Sequence, residues 1–242
     1  MHRLSAGRLV AGMMNSSIAS EAPSAGLIIG RNEIRHARSS QWGGERTFDI
    51  LVGLAGLILA APLFLVAAAL IKLQDAGPVI YSQTRVGKNG RLFRLYKLRT
   101  MTVDADARLA DLRASDPCVD FEWRKLQKLR NDPRITMVGA FLRRSCVDEL
   151  PQLVNVLRGE MSVVGPRPIT DRQISEYGRR FAAYASVRPG LTGLWQVCRQ
   201  DHPSFRSRIA ADRLYFRRKS FAGDLMIILK TIPVVISGRG CR

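Results

Sequence analysis

The stretch ILVGLAGLILAAPLFLVAAALI, Ile50 to Ile71, carries no charge and no strongly polar side chain, and Pro62 stands near its centre. As a helix it is roughly 33 Å long at about 1.5 Å per residue, enough to cross a hydrocarbon core of about 30 Å. A buried core helix is the alternative, but an apolar run of this length favours a membrane element. Pro62 removes an amide donor and clashes with the preceding turn, and Ala61 before it is pushed away from helical geometry. Two outcomes follow: a kinked span, or a re-entrant hairpin broken at Pro62 that enters and leaves on one face. Arg31, Arg35, Arg38 and Arg46 precede the segment, and Lys72, Arg85, Lys88 and Arg91 follow it. Basic residues on both flanks fit two cytoplasmic ends better than one exported end. The reading is a re-entrant membrane helix over residues 47–73.

Working outward, residues 1–41 are rich in Ser, Ala, Gly and Arg without a sustained period and read as a disordered N-terminal extension. The apolar patch Leu9 to Met14 is short, contains Gly12, and does not make a signal peptide. Residues 74–242 are soluble in character and read as one folded domain. Val79 to Val86 and Leu92 to Leu98 flank Gly87-Lys88-Asn89-Gly90, and Asn-Gly between β-prone runs predicts a small hairpin. Asp104 to Leu129 reads as surface helices, and Asn131-Asp132-Pro133 as a turn. Leu150 to Leu157 reads as a helix closed by Gly159. Asp171 to Ala185 and Phe205 to Arg218 are also predicted helical. Leu225 to Ile236 is too short to span, contains Lys230 and Pro233, and reads as interfacial. The expected class is α+β: a mostly helical, membrane-associated domain with one hairpin, one proline-broken membrane helix and interfacial amphipathic helices.

A chain of 242 residues suits one domain with appendages. Its formal net charge of +18 calls for a polyanionic partner: nucleic acid, an anionic membrane surface or a phosphorylated substrate. Cys118, Cys146, Cys198 and Cys241 form no CxxC pair, which argues against a zinc site or a disulfide scaffold and fits a reducing compartment. His2, His36 and His202 have no ligand spacing. Any metal is therefore expected to be hard and oxygen-bound, so magnesium rather than zinc.

Asp148-Glu149, followed by Leu150-Pro151-Gln152-Leu153, sets two adjacent carboxylates at a predicted helix start. With Asp148 or Ser145 as N-cap, the pair meets unpaired amides and the positive end of the dipole. Such a pair is a cap, or it is a nucleophile and metal ligand kept ionised by the same dipole. Gly165-Pro166-Arg167-Pro168 holds an arginine between two prolines, where its fork suits phosphate; otherwise it is a solvated loop arginine. Arg188-Pro189-Gly190 repeats the pre-proline arginine. Lys97 and Arg99 share a strand face, and Arg143 and Arg144 lie just before the acidic pair. These cations are ion-pair partners of the carboxylates, or the several charges that a diphosphate needs near its reacting phosphorus, usually with magnesium. Trp195 reads as core rather than a stacking group.

Six ordered motifs carry a family resemblance: Ala76-Gly77-Pro78-Val79 with Gln83-Thr84-Arg85-Val86-Gly87, Lys97-Leu98-Arg99-Thr100-Met101, Asp148-Glu149-Leu150-Pro151-Gln152-Leu153, Gly159-Glu160-Met161-Ser162, Gly165-Pro166-Arg167-Pro168, and Arg188-Pro189-Gly190-Leu191-Thr192-Gly193. Together they resemble the bacterial sugar transferases, the monotopic phosphoglycosyl transferases that prime glycan assembly on polyprenyl phosphate. The short form is most similar to initiating enzymes of exopolysaccharide synthesis. The resemblance implies transfer of a sugar 1-phosphate from a nucleotide diphosphosugar to polyprenyl phosphate, with release of the nucleoside monophosphate, by a catalytic domain over residues 74–242 on the cytoplasmic face of the inner membrane. It implies Asp148 as the nucleophile that becomes a phosphosugar-enzyme intermediate, Glu149 beside it holding magnesium, and the Pro166-Arg167-Pro168 loop on the nucleotide. Galactose or glucose is the expected sugar.

The chain departs from that pattern at Cys198-Arg199-Gln200-Asp201-His202, where many relatives carry a Gly-Arg-Asn type loop; at Cys146, where Ser or Thr is common; and at Pro233, expected to interrupt the terminal helix. A nucleic-acid partner is not expected, because no groove-reading helix or stacking platform is found. A non-catalytic assembly protein is the remaining alternative.

Overall fold

The computed structural model describes residues 44–126, 129–198 and 204–237. The expected N-terminal extension and most of the altered loop after Cys198 lie outside the described residues.

Helix α1, Glu45–Gln74, is unbroken, with Pro62 inside it. This corrects the expectation of a helix broken there. A proline removes one amide donor, and helical conformation resumes at once on both sides. At 30 residues α1 is roughly 45 Å long. Both of its ends are tied to the same body of protein. At the start, Arg46 donates to the carbonyls of Val156 and Leu157 at 2.6 and 2.5 Å. Asp49 accepts from Ser162 Oγ and Val163 N at 2.9 and 2.8 Å, and Lys219 pairs with Glu45 at 2.7 Å. At the far end, Arg99 pairs with Asp75 at 3.0 Å, and Gln74 accepts from the Val138 amide. Buried Gly53, Ala67 and Ile71 mark the packed face, while Leu51, Leu59, Leu65 and Leu73 are well exposed.

The predicted hairpin is present. Strands β1, Ile80–Val86, and β2, Leu92–Leu98, pair antiparallel from Ile80 opposite Leu98 to Val86 opposite Leu92. Asn89 and Gly90 take the left-handed conformation in the connecting turn, as an Asn-Gly turn requires. Helices α2, Ala105–Ser115, and α3, Pro117–Leu126, form the predicted surface pair. Helix α4, Met137–Arg144, is capped by the Thr136 hydroxyl. Helix α5, Gln152–Arg158, ends at Gly159 with φ of 78°.

A second, two-stranded parallel pairing was not predicted: β3, Ser162–Val164, beside a later strand, Gly190–Thr192. Between them the region expected as one helix over residues 171–185 is divided. Helix α6, Ile174–Tyr177, and α7, Phe181–Ala185, are separated by a 3-10 turn that starts at Gly178, φ 51°. The later strand, β4, is followed by α8, Leu194–Cys198, α9, Phe205–Arg218, and α10, Phe221–Ile236. Helix α10 runs through Pro233, so that proline does not interrupt it. Leu225, Met226, Leu229, Ile232 and Ile236 stand exposed on it, as do the apolar residues of α1.

The core forms where these elements meet. Phe93 and Leu95 of β2 pack with Val156, Met161, Val163, Tyr215 and Ile227. Ala67 and Ile71 of α1 pack with Leu98, Leu142 and Val147. The second cluster seats the turn that carries the acidic pair. Trp195 is buried in the core, as expected.

Candidate active site

Asp148 and Glu149 lie on a 3-10 turn, Val147–Glu149, between α4 and α5. Cys146, with φ of 57°, opens the turn in the left-handed region that non-glycine residues rarely occupy. Neither carboxylate caps α5: its N-cap position is Pro151, with no side-chain cap bond, and Ser145 Oγ donates back to Phe141 and Leu142 carbonyls. The capping alternative is thereby removed.

The pair is held by cations from three elements. Lys97, near the end of β2, reaches Glu149 at 2.8 Å and Asp148 at 3.8 Å. Arg167 donates to the same Glu149 oxygen, Oε1, at 2.9 Å. Arg143, in the last turn of α4, donates to Thr100 Oγ1 at 2.8 Å, and its charge acts on Asp148. These environments push the two carboxyls apart. Burial raises Asp148 above the ordinary carboxylate range, with Glu149's charge adding to it against the pull of Lys97, Arg143 and Arg167. Burial would also raise Glu149, but Arg167 and Lys97 outweigh it and hold Glu149 well below that range.

The rigid loop with Arg167 is built by backbone contacts that link two motifs distant in sequence. Gly190 N donates to Pro166 O at 2.8 Å, Gly165 N to Thr192 O at 2.9 Å, and Ser162 N to Pro189 O at 2.8 Å. A Cβ at Gly190 would run into the Gly165 backbone nitrogen, so only glycine permits this approach. Pro166 and Pro168 are buried beneath the loop.

The remaining predicted cations lie elsewhere. Arg99 is buried against Asp75, holding the end of α1. Lys97 and Arg99 therefore do not work together, because Arg99 follows the end of β2 and serves α1. Arg188 faces Asp49 of α1 at 3.5 Å. Arg144 is exposed, turned by one helical step from Arg143.

Two arginines that were not among the predicted site residues stand beside Arg167. Arg208 of α9 is buried and donates to the Arg167 carbonyl at 2.6 Å. Arg85 of β1 is placed there by a bond between the Val86 amide and the Ile169 carbonyl, 2.9 Å. The sequence signal for Arg208 was its helical phase: it shares a face with buried Asp212 and Tyr215.

Next to the dyad, Leu150 and Pro151 also line an apolar cavity of about 520 Å³ under the middle of α1, with Leu57, Ala61, Phe64 and Val154. Among the described residues no three His, Cys, Asp or Glu side chains gather to cage a metal. Two adjacent carboxylates still fit magnesium, which binds through one or two carboxylates plus substrate phosphates and retained waters.

A carboxylate pair under several cations, at the edge of an apolar cavity, suits an anionic substrate with an apolar part. The chain belongs to the bacterial sugar transferase family, which its residues 40–238 match, and it is a transferase. It is similar to exopolysaccharide production protein ExoY of Rhizobium meliloti (strain 1021), 45% identical over 196 residues that cover 81% of this chain and 87% of that protein. It is 42% identical over 196 residues to an undecaprenyl-phosphate galactose phosphotransferase of Salmonella typhimurium, covering 81% of this chain and 41% of that longer one. A UDP-glucose:undecaprenyl-phosphate glucose-1-phosphate transferase of Caulobacter vibrioides is 41% identical over 201 residues, 80% of this chain and 70% of that protein.

Proposed function

We propose that this chain transfers a hexose 1-phosphate, galactose or glucose, from a UDP-sugar to polyprenyl phosphate and releases UMP, the first membrane step of exopolysaccharide synthesis. The observation that carries the reading is the gathering of Asp148, Glu149, Lys97, Arg143 and Arg167 beside an apolar cavity. The named activities of the Salmonella and Caulobacter relatives supply the substrate class.

An Asp148 carboxylate oxygen attacks the sugar-bearing phosphorus. The phosphoanhydride bond breaks, UMP departs with the bonding electron pair, and the sugar phosphate stays on Asp148 as an acyl phosphate. A phosphate oxygen of the polyprenyl acceptor then attacks the same phosphorus and releases the Asp148 carboxylate. Lys97 and Arg167 offset charge on the diphosphate, and Arg167 binds it through two parallel hydrogen bonds. Glu149, kept anionic by these cations, would hold magnesium together with Asp148; the ion when bound neutralises phosphate charge. The isoprenoid chain lies in the cavity beneath α1, with its phosphate at Pro151 and the dyad.

The same reading sets α1, unbroken and bonded at both ends to the catalytic body, in one leaflet of the inner membrane, with the catalytic domain on the cytoplasmic face. Its two ends are bonded to one body of protein, so the lipid-facing side of α1 and the exposed face of α10 dip into one leaflet.

Purified protein in lipid nanodiscs, given UDP-galactose or UDP-glucose, should release UMP only when polyprenyl phosphate and magnesium are both present. Release that is independent of the lipid phosphate, or none with any UDP-sugar, rejects the proposal.

A further inference from the structure

Arg85, Arg167 and Arg208 come from three separate elements, the hairpin, the 165–169 loop and α9, and converge on one side of the dyad. Arg167 is neutralised by Glu149, which it shares with Lys97. Arg208 is only 9% exposed; its Nη2 is committed to the Arg167 carbonyl, and its guanidinium lies over the Phe205 ring at 5.5 Å. Among the described residues its buried Nε has no hydrogen-bond acceptor, since Asp212 Oδ2 stands 4.0 Å away and already accepts from Tyr177 at 2.5 Å. Arg85 has a second buried Nε without an acceptor. Its Nη2 donates to the neutral side chain of Gln83, at 2.7 Å. Burial and the charges of Arg167 and Arg208 lower Arg85 to about 10. A buried donor without an acceptor costs roughly 1–3 kcal/mol, more when charged. Two such guanidiniums beside Arg167 concentrate positive charge that an oxyanion would offset.

We infer that Arg85 and Arg208, with Arg167, form an oxyanion subsite that grips the nucleotide-side phosphate of the donor and stabilises it as the leaving group. The inference rests on the proposed transferase reaction. The geometry favours the donor over the lipid acceptor, because no residue of the 165–169 loop or of α9 lines the apolar cavity. The acceptor phosphate enters from the cavity side, by Leu150 and Pro151, and the arginine trio stands on the Arg167 side of the dyad. When the phosphoanhydride breaks, the departing monophosphate gains one negative charge, and fixed guanidiniums act most strongly on charge that develops in that step.

The test compares full-length wild type with Arg85→Gln, Arg208→Gln and Arg208→Lys in nanodiscs, with melting followed for each. UMP and uridine binding are titrated calorimetrically, and KM is measured separately for UDP-sugar and polyprenyl phosphate. The expected result is UMP binding weakened roughly ten- to a hundredfold in each Gln variant. Uridine binding and the KM for polyprenyl phosphate stay at wild-type values, and kcat falls by more than the UDP-sugar KM rises. Arg208→Lys restores part of the UMP affinity. Arg85→Gln carries the test if Arg208→Gln melts early, because Arg85 holds no backbone carbonyl. UMP affinity within twofold of wild type in Arg85→Gln overturns the inference. So does a raised KM for polyprenyl phosphate with UMP binding intact, which would give the trio to the acceptor. Failure of the underlying reaction is a different result: wild type itself releases no UMP.

Discussion

Glu149 and Asp148 are neighbours with opposite electrostatic histories, and their substitutions should separate accordingly. Glu149 is held below the ordinary carboxylate range by Arg167 and Lys97, so its ionised form stabilises the fold. That contribution is present above the unfolded-state value near 4.3 and is lost as the pH falls through the lower folded value. Glu149→Gln leaves two partly buried cations unpaired and should cost roughly 2–3 kcal/mol, read as a lower melting temperature at pH 7. Asp148 is raised by burial, so its ionised form opposes folding at neutral pH. Asp148→Asn should abolish UMP release while melting no earlier than wild type. A variant that both turns over and keeps its stability would remove Asp148 as nucleophile. The same shift predicts an acid limb in the rate profile above the ordinary value near 3.9. Lys97→Met, which removes a charge that lowers Asp148, should move that limb to higher pH; an unmoved limb would detach it from Asp148. Arg167→Lys keeps the charge but not the fork, and kcat/KM should fall at least tenfold.

At the scale of elements, the parallel pairing of β3 with β4 is what presents Arg167. Its two three-residue strands contribute little area, and the join depends on backbone approach at Gly165 and Gly190. Gly190→Ala forces the loop away from β4 and should destabilise by roughly 1–3 kcal/mol. It should also raise the KM for UDP-sugar, because Arg167 moves with Pro166. Normal KM and melting in that variant would show that the loop is positioned by other contacts. Helix α1 illustrates the converse: Pro62 within it costs one backbone bond, but the helix is held at both ends by Arg46, Asp49 and Asp75, so no break results.

For the whole molecule, the disposition of α1 predicts topology. Both of its ends bond to the catalytic body, at Val156 and Leu157 on one side and Arg99 on the other. Single cysteines at Gly44 and Ser82, in a background lacking the four native cysteines, should both resist a membrane-impermeant thiol reagent in intact cells and react after lysis. Labelling of one alone from outside would require α1 to span. The charge of +18 acts at this scale too: Arg179 and Arg180 are exposed and can face anionic headgroups.

What the sequence determined by itself was everything set by local pattern or by contiguous motif. The apolar run became α1, Asn89-Gly90 became a hairpin turn, Gly159 closed α5, and Asp148-Glu149 and Pro166-Arg167-Pro168 were singled out as contiguous motifs. Tertiary structure alone decided which cations serve the carboxylates. Arg99 and Arg188 are of the same type as Arg143 and Arg167, but the packing of α1 brings Asp75 and Asp49 to them first. It also decided that Arg85 and Arg208 stand beside Arg167, since contacts over that sequence separation leave no local period. The path through Pro62 was set the same way: propensity marks where a helix is weakened, and the contacts at the two ends of α1 hold it through that point.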